Sequence, residues 1–294
     1  MPLSLDEALQ CDQIEVKETG DIGELTIRNI GDQDVFIQSG DIVKGGLQDR
    51  IIKVSTILKP KSQAVPLETL CVESGRWGGR AEESSVAFSR SRTSAHKRMK
   101  LYAMASAKSS SASQRRMAAM ASREEDQSFM WEEVRSSQRK MAAAMDRSVT
   151  DASSPSSYEL YRNTEAVLEN QKAFVDAFES SGKGGPDAVG MIFAVDGKLH
   201  NGEVYESHEL FEKMWRKNLD AVITEALASE NDGDVAAPDA QDIQTFLDHA
   251  EAGQASEAEL PSGGWLRSCS GDDAVLVEAQ RDTRTWVHRH YATP

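Results

Sequence analysis

The chain predicts an α+β fold: an antiparallel sheet, built as a sandwich or partial barrel, carrying a helical insertion. Three observations predict it. Short strand-like runs with period-two alternation crowd the first 75 or so residues. An Ala/Met/Lys/Arg-rich stretch of helical character interrupts them, and strand patterns return near residue 294. With strands at both ends and helices between, the last strands are expected to return to the first sheet.

The strand text begins with Ile14 and Val16 alternating with Glu15 and Lys17, then Leu25 and Ile27 alternating with Glu24, Thr26 and Arg28. Val35 and Ile37 follow, and Gly20, Gly23, Gly31 and Gly40 punctuate the runs at hairpin spacing. Residues 51–58 and 64–72 read as two more strands, with Pro66 marking an edge or a bulge in the second. Residues 90–121 lack Gly and Pro and favour helix, weakened at Ser109-Ser110-Ser111. Met130, Val134, Ser137, Met141 and Met145 fall on one helical stripe. A helix over residues 158–178 would bury Tyr161, Leu168, Val175 and Phe178, and one over 209–228 would bury Phe211, Trp215, Leu219 and Val222. Between them lie an apolar strand at 189–195, an Asp196-Gly197 hairpin turn and a strand at 198–204. A short helix at 240–250 and strands at 265–269, 274–279 and 285–290 close the chain. The organisation expected is a single domain over 1–294, with a β part at 1–80, the helical insertion at 90–180 and an α/β part at 187–294.

A chain of 294 residues that is 39% hydrophobic and 28% charged can bury a sizeable core without staples. Cys11, Cys71 and Cys269 are odd in number and far apart, which argues against a disulfide framework or a cysteine zinc site. Residues 1–10 carry Asp6 and Glu7 and no basic leader, and no apolar run nears the ~18 residues that span a bilayer. These features predict a cytoplasmic protein with no membrane partner. The net charge of −15 is uneven. Residues 90–123 hold nine Lys/Arg and no Asp/Glu, whereas residues 229–260 hold nine Asp/Glu and no Lys/Arg. The two blocks suit mutual attraction, separate partners or plain solvation. With Tyr102 the one aromatic inside the basic block of an acidic protein, nucleic-acid binding is not expected.

The densest cluster of chemistry is Gly40-Asp41-Ile42-Val43-Lys44-Gly45-Gly46-Leu47-Gln48-Asp49-Arg50, followed by Cys71-Val72-Glu73-Ser74-Gly75-Arg76-Trp77. Gly45 and Gly46 allow a tight turn and close approach of a ligand to backbone N–H groups. If the two stretches meet at one sheet end, Gln48, Asp49, Arg50, Arg76 and Trp77 would line a site for a small anionic ligand. Asp41 or Glu73 would then be the candidate catalytic base. The same residues also suit a hairpin turn and a structural Arg50–Glu73 ion pair. Cys71 has no activating partner nearby in sequence and reads as a buried small hydrophobe. His288 and His290 share a strand face and could hold a metal, but no carboxylate motif stands with them, so neither metal nor cofactor is expected. Gly182-Lys183-Gly184-Gly185-Pro186 lacks the spacing of a phosphate loop.

In their order, the two dense stretches with Pro60 between them resemble the N-terminal signature of the bacterial ARG-and-rhodanese-phosphatase-superfamily-associated protein domain, a family of unassigned biochemistry. Gln127-Ser128-Phe129-Met130-Trp131-Glu132-Glu133-Val134 and Ser148-Val149-Thr150 resemble later parts of the same family, as do Val189-Gly190 with Gly197-Lys198 and Leu210-Phe211-Glu212-Lys213-Met214-Trp215. The resemblance implies one family domain over nearly the whole chain. By association it implies a role near ADP-ribose, nucleotide or phosphate-ester metabolism, and it carries no catalytic residue with it. The alternative reading is a non-catalytic scaffold that meets a protein partner through the helical insertion.

Overall fold

Ser4 opens the first helix. Its side chain accepts from the Glu7 N–H while the Glu7 carboxylate accepts from the Ser4 N–H, a reciprocal cap that starts α1 (Leu5–Gln10) directly after the short strand β1 (Leu3–Ser4). The strands β2 (Ile14–Glu18), β3 (Glu24–Asn29), β4 (Val35–Ile37), β5 (Asp41–Gly45), β6 (Arg50–Ile52), β7 (Thr56–Leu58) and β8 (Val65–Cys71) follow. Then come β9 (Phe88–Ser94), α2 (Lys97–Ser106), α3 (Gln114–Met145), α4 (Tyr158–Arg162) and α5 (Glu165–Ser180). The remainder is β10 (Gly190–Val195), β11 (Lys198–Tyr205), α6 (His208–Leu227), α7 (Ala240–Glu251), β12 (Gln254–Glu259), β13 (Trp265–Ser270), β14 (Val275–Asp282) and β15 (Thr285–Ala292). This computed structural model describes residues 1–76, 78, 80, 88–107, 114–180, 184–229 and 235–294, and gives the backbone alone for 92, 114–124 and 180. Trp77, Ser109-Ser110-Ser111 and the Gly182-Lys183 pair lie outside the described residues.

The class is α+β. The described strands form three sheets in the orders β1-β4-β7, β2-β3-β8-β6-β5-β9 and β10-β11-β15-β14-β13-β12, antiparallel except for the β1–β4 pair. Ile14, Val16, Leu25 and Ile27 are buried, as their alternation predicts. The expected strand at 51–58 divides at Lys53–Ser55, so that β6 and β7 serve different sheets. Pro66 sits where β8 pairs with β3 alone, because β6 takes over at Thr69, so the missing N–H breaks no ladder.

Three expectations need correction. Residues 90–94 are strand, not helix: Ser91 and Thr93 point inward and β9 pairs with β5, a period-two pattern hidden by its arginines. The closing strands do not rejoin the first sheet. The Asp196-Gly197 hairpin, both residues at positive φ, presents β11 to β15, and the C-terminal strands build their own sheet there. On α5, Val175 is buried but Leu168 and Phe178 are exposed, because the helix breaks from α4 at Asn163 and turns its face.

The helical layer is welded to the N-terminal sheet. Ile42, Ile51 and Leu70 pack with Met99, Met130, Val134, Met141, Tyr158 and Tyr161 in one core, which takes in most of the expected methionine stripe. A second core forms where α6 lays Phe211, Trp215, Leu219 and Val222 against Phe36, Phe193 and Val287. Among the described residues, no helix is long and apolar enough to cross a membrane.

Candidate functional site

The two signature stretches do meet. Gly45 and Gly46 turn the chain with φ of 116° and 56°, conformations that favour glycine, and Asp49 comes back beneath them to accept the Gly45 N–H at 3.0 Å. Arg76 donates to Glu73 at 2.6 Å and to the carbonyls of Gly46 and Gly78. It also reaches Asp49 at 3.3 Å. A residue the sequence reasoning missed, Arg80, bridges Asp49 at 3.0 Å and Glu73 at 3.1 Å. Ser154 donates to Glu73 at 2.5 Å and Ser157 to Asp49 at 3.2 Å. Both serines come from the Ser/Pro stretch between α3 and α4. Burial raises the Asp49 carboxyl above its ordinary value; Arg80 pulls it down and Glu73 pushes it up again. Two carboxylates and two guanidiniums thus neutralise one another inside the protein, with their lone pairs taken up by N–H and O–H donors.

The other expected residues lie elsewhere. Arg50 turns away to Glu18, at 3.1 Å, and to the Ile22 carbonyl. Asp41 meets Lys217 at 3.0 Å, and Lys217 also holds Asp6 at 3.0 Å; the two carboxylates outweigh burial and raise the lysine. Gln48 is fully buried, and among the described residues neither amide atom has a hydrogen-bond partner. Burial pushes the Cys71 thiol up to about 12, far from the thiolate that a nucleophile needs.

A third constellation spans the two main sheets. Ser55 Oγ stands 3.1 Å from His288 Nδ1, and Glu203 lies 2.7 Å from His288 Nε2 and 3.0 Å from His290 Nδ1. The ionised Glu203 can only accept, which places the His288 proton on Nε2 and leaves Nδ1 to accept the Ser55 hydroxyl, while Ser55 Oγ accepts the Ser39 N–H. The order is that of a nucleophile, a base and an acid. Ser55 is 3% exposed, however, and the rings of Phe36 and Tyr205 pack on His288 at 5.5 and 5.0 Å. Lys100, 2.5 Å from Glu203, supplies the balancing charge. Among the described residues, no group of three or more His, Cys, Asp or Glu is placed to hold a metal ion.

Open space lies between the helical layer and the C-terminal sheet. A cleft of about 690 Å³ is lined by His96 and Lys97 before and at the start of α2, Lys140 on α3, Glu225 on α6, and Lys198 and His200 on β11. His96 is 7% exposed, and its Nε2 has no hydrogen-bond partner among the described residues. Burial pushes its imidazole down to about 4, against the pull of Glu225. Glu225 accepts from the Lys97 N–H at 2.5 Å and faces His200 Nε2 at 2.7 Å. Burial alone would raise that carboxyl; His200, His96 and Lys97 together hold it below the ordinary range. Lys140 and Lys198 are exposed, and neither makes a close salt bridge among the described residues, although the Lys140 charge reaches the Glu133 carboxylate. Glu133 and Asp196 line the hollow too, and Arg98 pairs with Glu133 at 3.3 Å, so the four Lys/Arg of the lining exceed its three carboxylates by one.

The signature cluster and the cleft are joined. Ser157, held by Asp49, caps α4 by accepting the Leu160 N–H. The next residue, Tyr158, donates its N–H to the Val72 carbonyl at 3.0 Å and packs its ring 6.0 Å from that of His96. Arg162 fixes the Tyr158 hydroxyl at 2.9 Å. The signature therefore sets the wall on which His96 stands.

A family model described as the ARG and Rhodanese-Phosphatase-superfamily-associated Protein domain matches residues 1–292. No curated protein and no solved structure matches the chain.

Proposed function

From the premise that the chain belongs to this ARG- and rhodanese-phosphatase-superfamily-associated family, we propose that it binds a small anionic ligand, a phosphate ester or nucleotide-derived compound of the ADP-ribose kind, in the cleft beside His96. The observation that carries the reading is the buried His96 Nε2, without a partner among the described residues, on the wall of a hollow that also offers Lys140 and Lys198. A buried polar atom left unpaired costs roughly 1–3 kcal/mol. A ligand that supplies the missing hydrogen bond recovers that cost. Asp49, Glu73, Arg76 and Arg80 serve in this reading as positioning residues, acting through Ser157 and Tyr158.

Thermal unfolding with ADP-ribose, nucleotides and phosphosugars tests the proposal. Ligand at a hundred times its Kd stabilises by about 2.7 kcal/mol, and His96→Ala together with Lys140→Ala should abolish the shift. No stabilisation by any of these compounds sinks the reading. A second reading, a scaffold that meets a protein partner through the helical region, draws on Phe174 and Phe178, large apolar side chains exposed on α5. A partner pull-down that survives Phe174→Ser and Phe178→Ser would remove α5 from it.

A further inference from the structure

The first turn of α2 belongs to two hollows. On one side lies the anion-binding cleft just described. On the other lies a groove of about 680 Å³, and Lys97 and Arg98 line both. The two residues after β15 divide in the same way: Thr293 lines the cleft and Pro294 the groove. Lys97 Nζ donates to Thr293 Oγ1 at 2.8 Å, so at this border an ammonium has a neutral hydroxyl as acceptor. A phosphate or carboxylate oxygen would be the stronger acceptor for it.

The groove is different in kind from the cleft. Leu101, Met104, Ala105, Phe129, Val275 and Val277 make most of its wall. Tyr102 adds a ring rather than a hydroxyl, because its OH is spent on Asp126 at 2.8 Å. That ring stacks on Phe129 at 3.7 Å, and the Arg98 guanidinium lies 5.5 Å from the Phe129 centroid. Beyond the two basic residues at the lip, Ser270 is the lining residue with a hydroxyl to offer. A nucleobase buried there would leave most of its edge atoms unpaired, at a cost of roughly 1–3 kcal/mol each. An aliphatic chain leaves nothing unpaired.

We infer that the ligand is an amphipathic anion whose charged head lies in the cleft and whose aliphatic part lies in the Leu101–Phe129–Val277 groove, with Lys97 and Arg98 at the junction. The inference rests on the reading of the cleft as an anion site and narrows its ligand class. Arg98 is engaged by Glu133 at 3.3 Å, so the charge complementarity at the junction comes from Lys97, which has a hydroxyl for its acceptor. That ammonium and the two residues shared by the hollows select this occupant over a purely polar or purely apolar one.

Titration calorimetry of the full chain tests it, using inorganic phosphate and then ethyl, butyl, hexyl and octyl phosphate below their micellar concentrations. Affinity is expected to rise with each methylene, by at most about fourfold per group when burial is complete. Ala105→Glu places a carboxylate in the groove at an exposed position. It should flatten the chain-length series while inorganic phosphate binding persists. Lys140→Ala with Lys198→Ala should weaken every member of the series by a similar factor. Phosphate binding with no dependence on chain length overturns the inference and leaves the cleft reading standing. Octyl phosphate binding that ignores both Ala105→Glu and the lysine variants is adherence elsewhere, and overturns it as well. Silence from phosphate and all alkyl phosphates overturns it together with the anion reading.

Discussion

The signature cluster and the cleft contain nearly the same chemistry, cations and carboxylates brought together from distant parts of the chain, yet they end in opposite states. Around Asp49 and Glu73 every acid faces a guanidinium or a hydroxyl, and Arg76 spreads its donors over two acids and the glycine turn. Around His96 the accounts stay open: an imidazole nitrogen without a partner among the described residues, and two lysines that face solvent and a hollow. A concentration of charged residue types marks where a fold must neutralise itself as often as where it meets a ligand. What separates the two is saturation of the charged groups, since the neutral Gln48 amide beside Asp49 is itself unpaired among the described residues. Buried networks that are fully paired rigidify, while an unpaired buried group carries a cost that a ligand's hydrogen bond can remove.

Breaking the closed cluster should give the largest effect. Glu73→Ala leaves Arg80 and Arg76 each one acid short in a buried setting, and removal of one partner from a buried pair costs roughly 3–5 kcal/mol. Urea unfolding should show the midpoint falling with the slope unchanged. If the loss is below about 1 kcal/mol, the cluster is not the clasp described, and its residues are free for other work.

The next effect is pH-dependent and centres on the open site. His96 and His290 are both pushed by burial down to about 4. In the unfolded chain they titrate near 6.5. Each contribution is complete above about pH 6.5 and is lost as the pH falls toward 4, because the unfolded state takes up the proton first. The slope is about 1.4 kcal/mol per pH unit for each histidine, roughly 3 kcal/mol in all for each. His96→Gln should remove one proton's worth of slope from stability measured across that window. An unchanged slope would show that His96 is hydrated in solution and that the cleft floor is open to water.

Much of this was legible in the sequence, for physical reasons that also explain the gaps. Phe211, Trp215, Leu219 and Val222 announce their buried face because a helix repeats its pattern every turn. Asp196-Gly197 announces its hairpin because few residues tolerate positive φ. The meeting of Asp49, Glu73 and Arg76 was readable because a Gly-Gly turn lies beside two short charged runs. Arg80 could have been found from the Arg-Trp-Gly-Gly-Arg spacing, whereas Ser154 and Ser157 sat in a stretch whose composition says linker. Strand β9 was masked by arginines, since Ser91 and Thr93 bury small hydroxyls that no hydrophobic pattern detects. The cleft gave no signal at all. His96, Lys140, His200 and Glu225 come from four separate elements, no two of them form a motif, and topology alone brings them together. The separate C-terminal sheet was missed because period-two text says that a strand exists and nothing about its partner.

The smallest structural effect sharpens the contrast most. Lys140→Ala and Lys198→Ala remove exposed ammonium groups that make no close salt bridge among the described residues, Lys140 reaching Glu133 only at longer range. Surface changes of that kind usually stay within ±0.5 kcal/mol of the parent stability. Folding should therefore be indifferent to both. Binding should not be: an ammonium beside an anion in a half-enclosed hollow is worth about 1–2 kcal/mol, so affinity for a small anion should fall roughly tenfold per lysine. The effect should shrink as salt rises and screening shortens the reach of each charge. A closed cluster cannot show this separation, since each of its charges is needed by another. Loss of stability in step with loss of binding would mean that the lysines hold the cleft together rather than await a guest, and the two regions would then differ in degree alone.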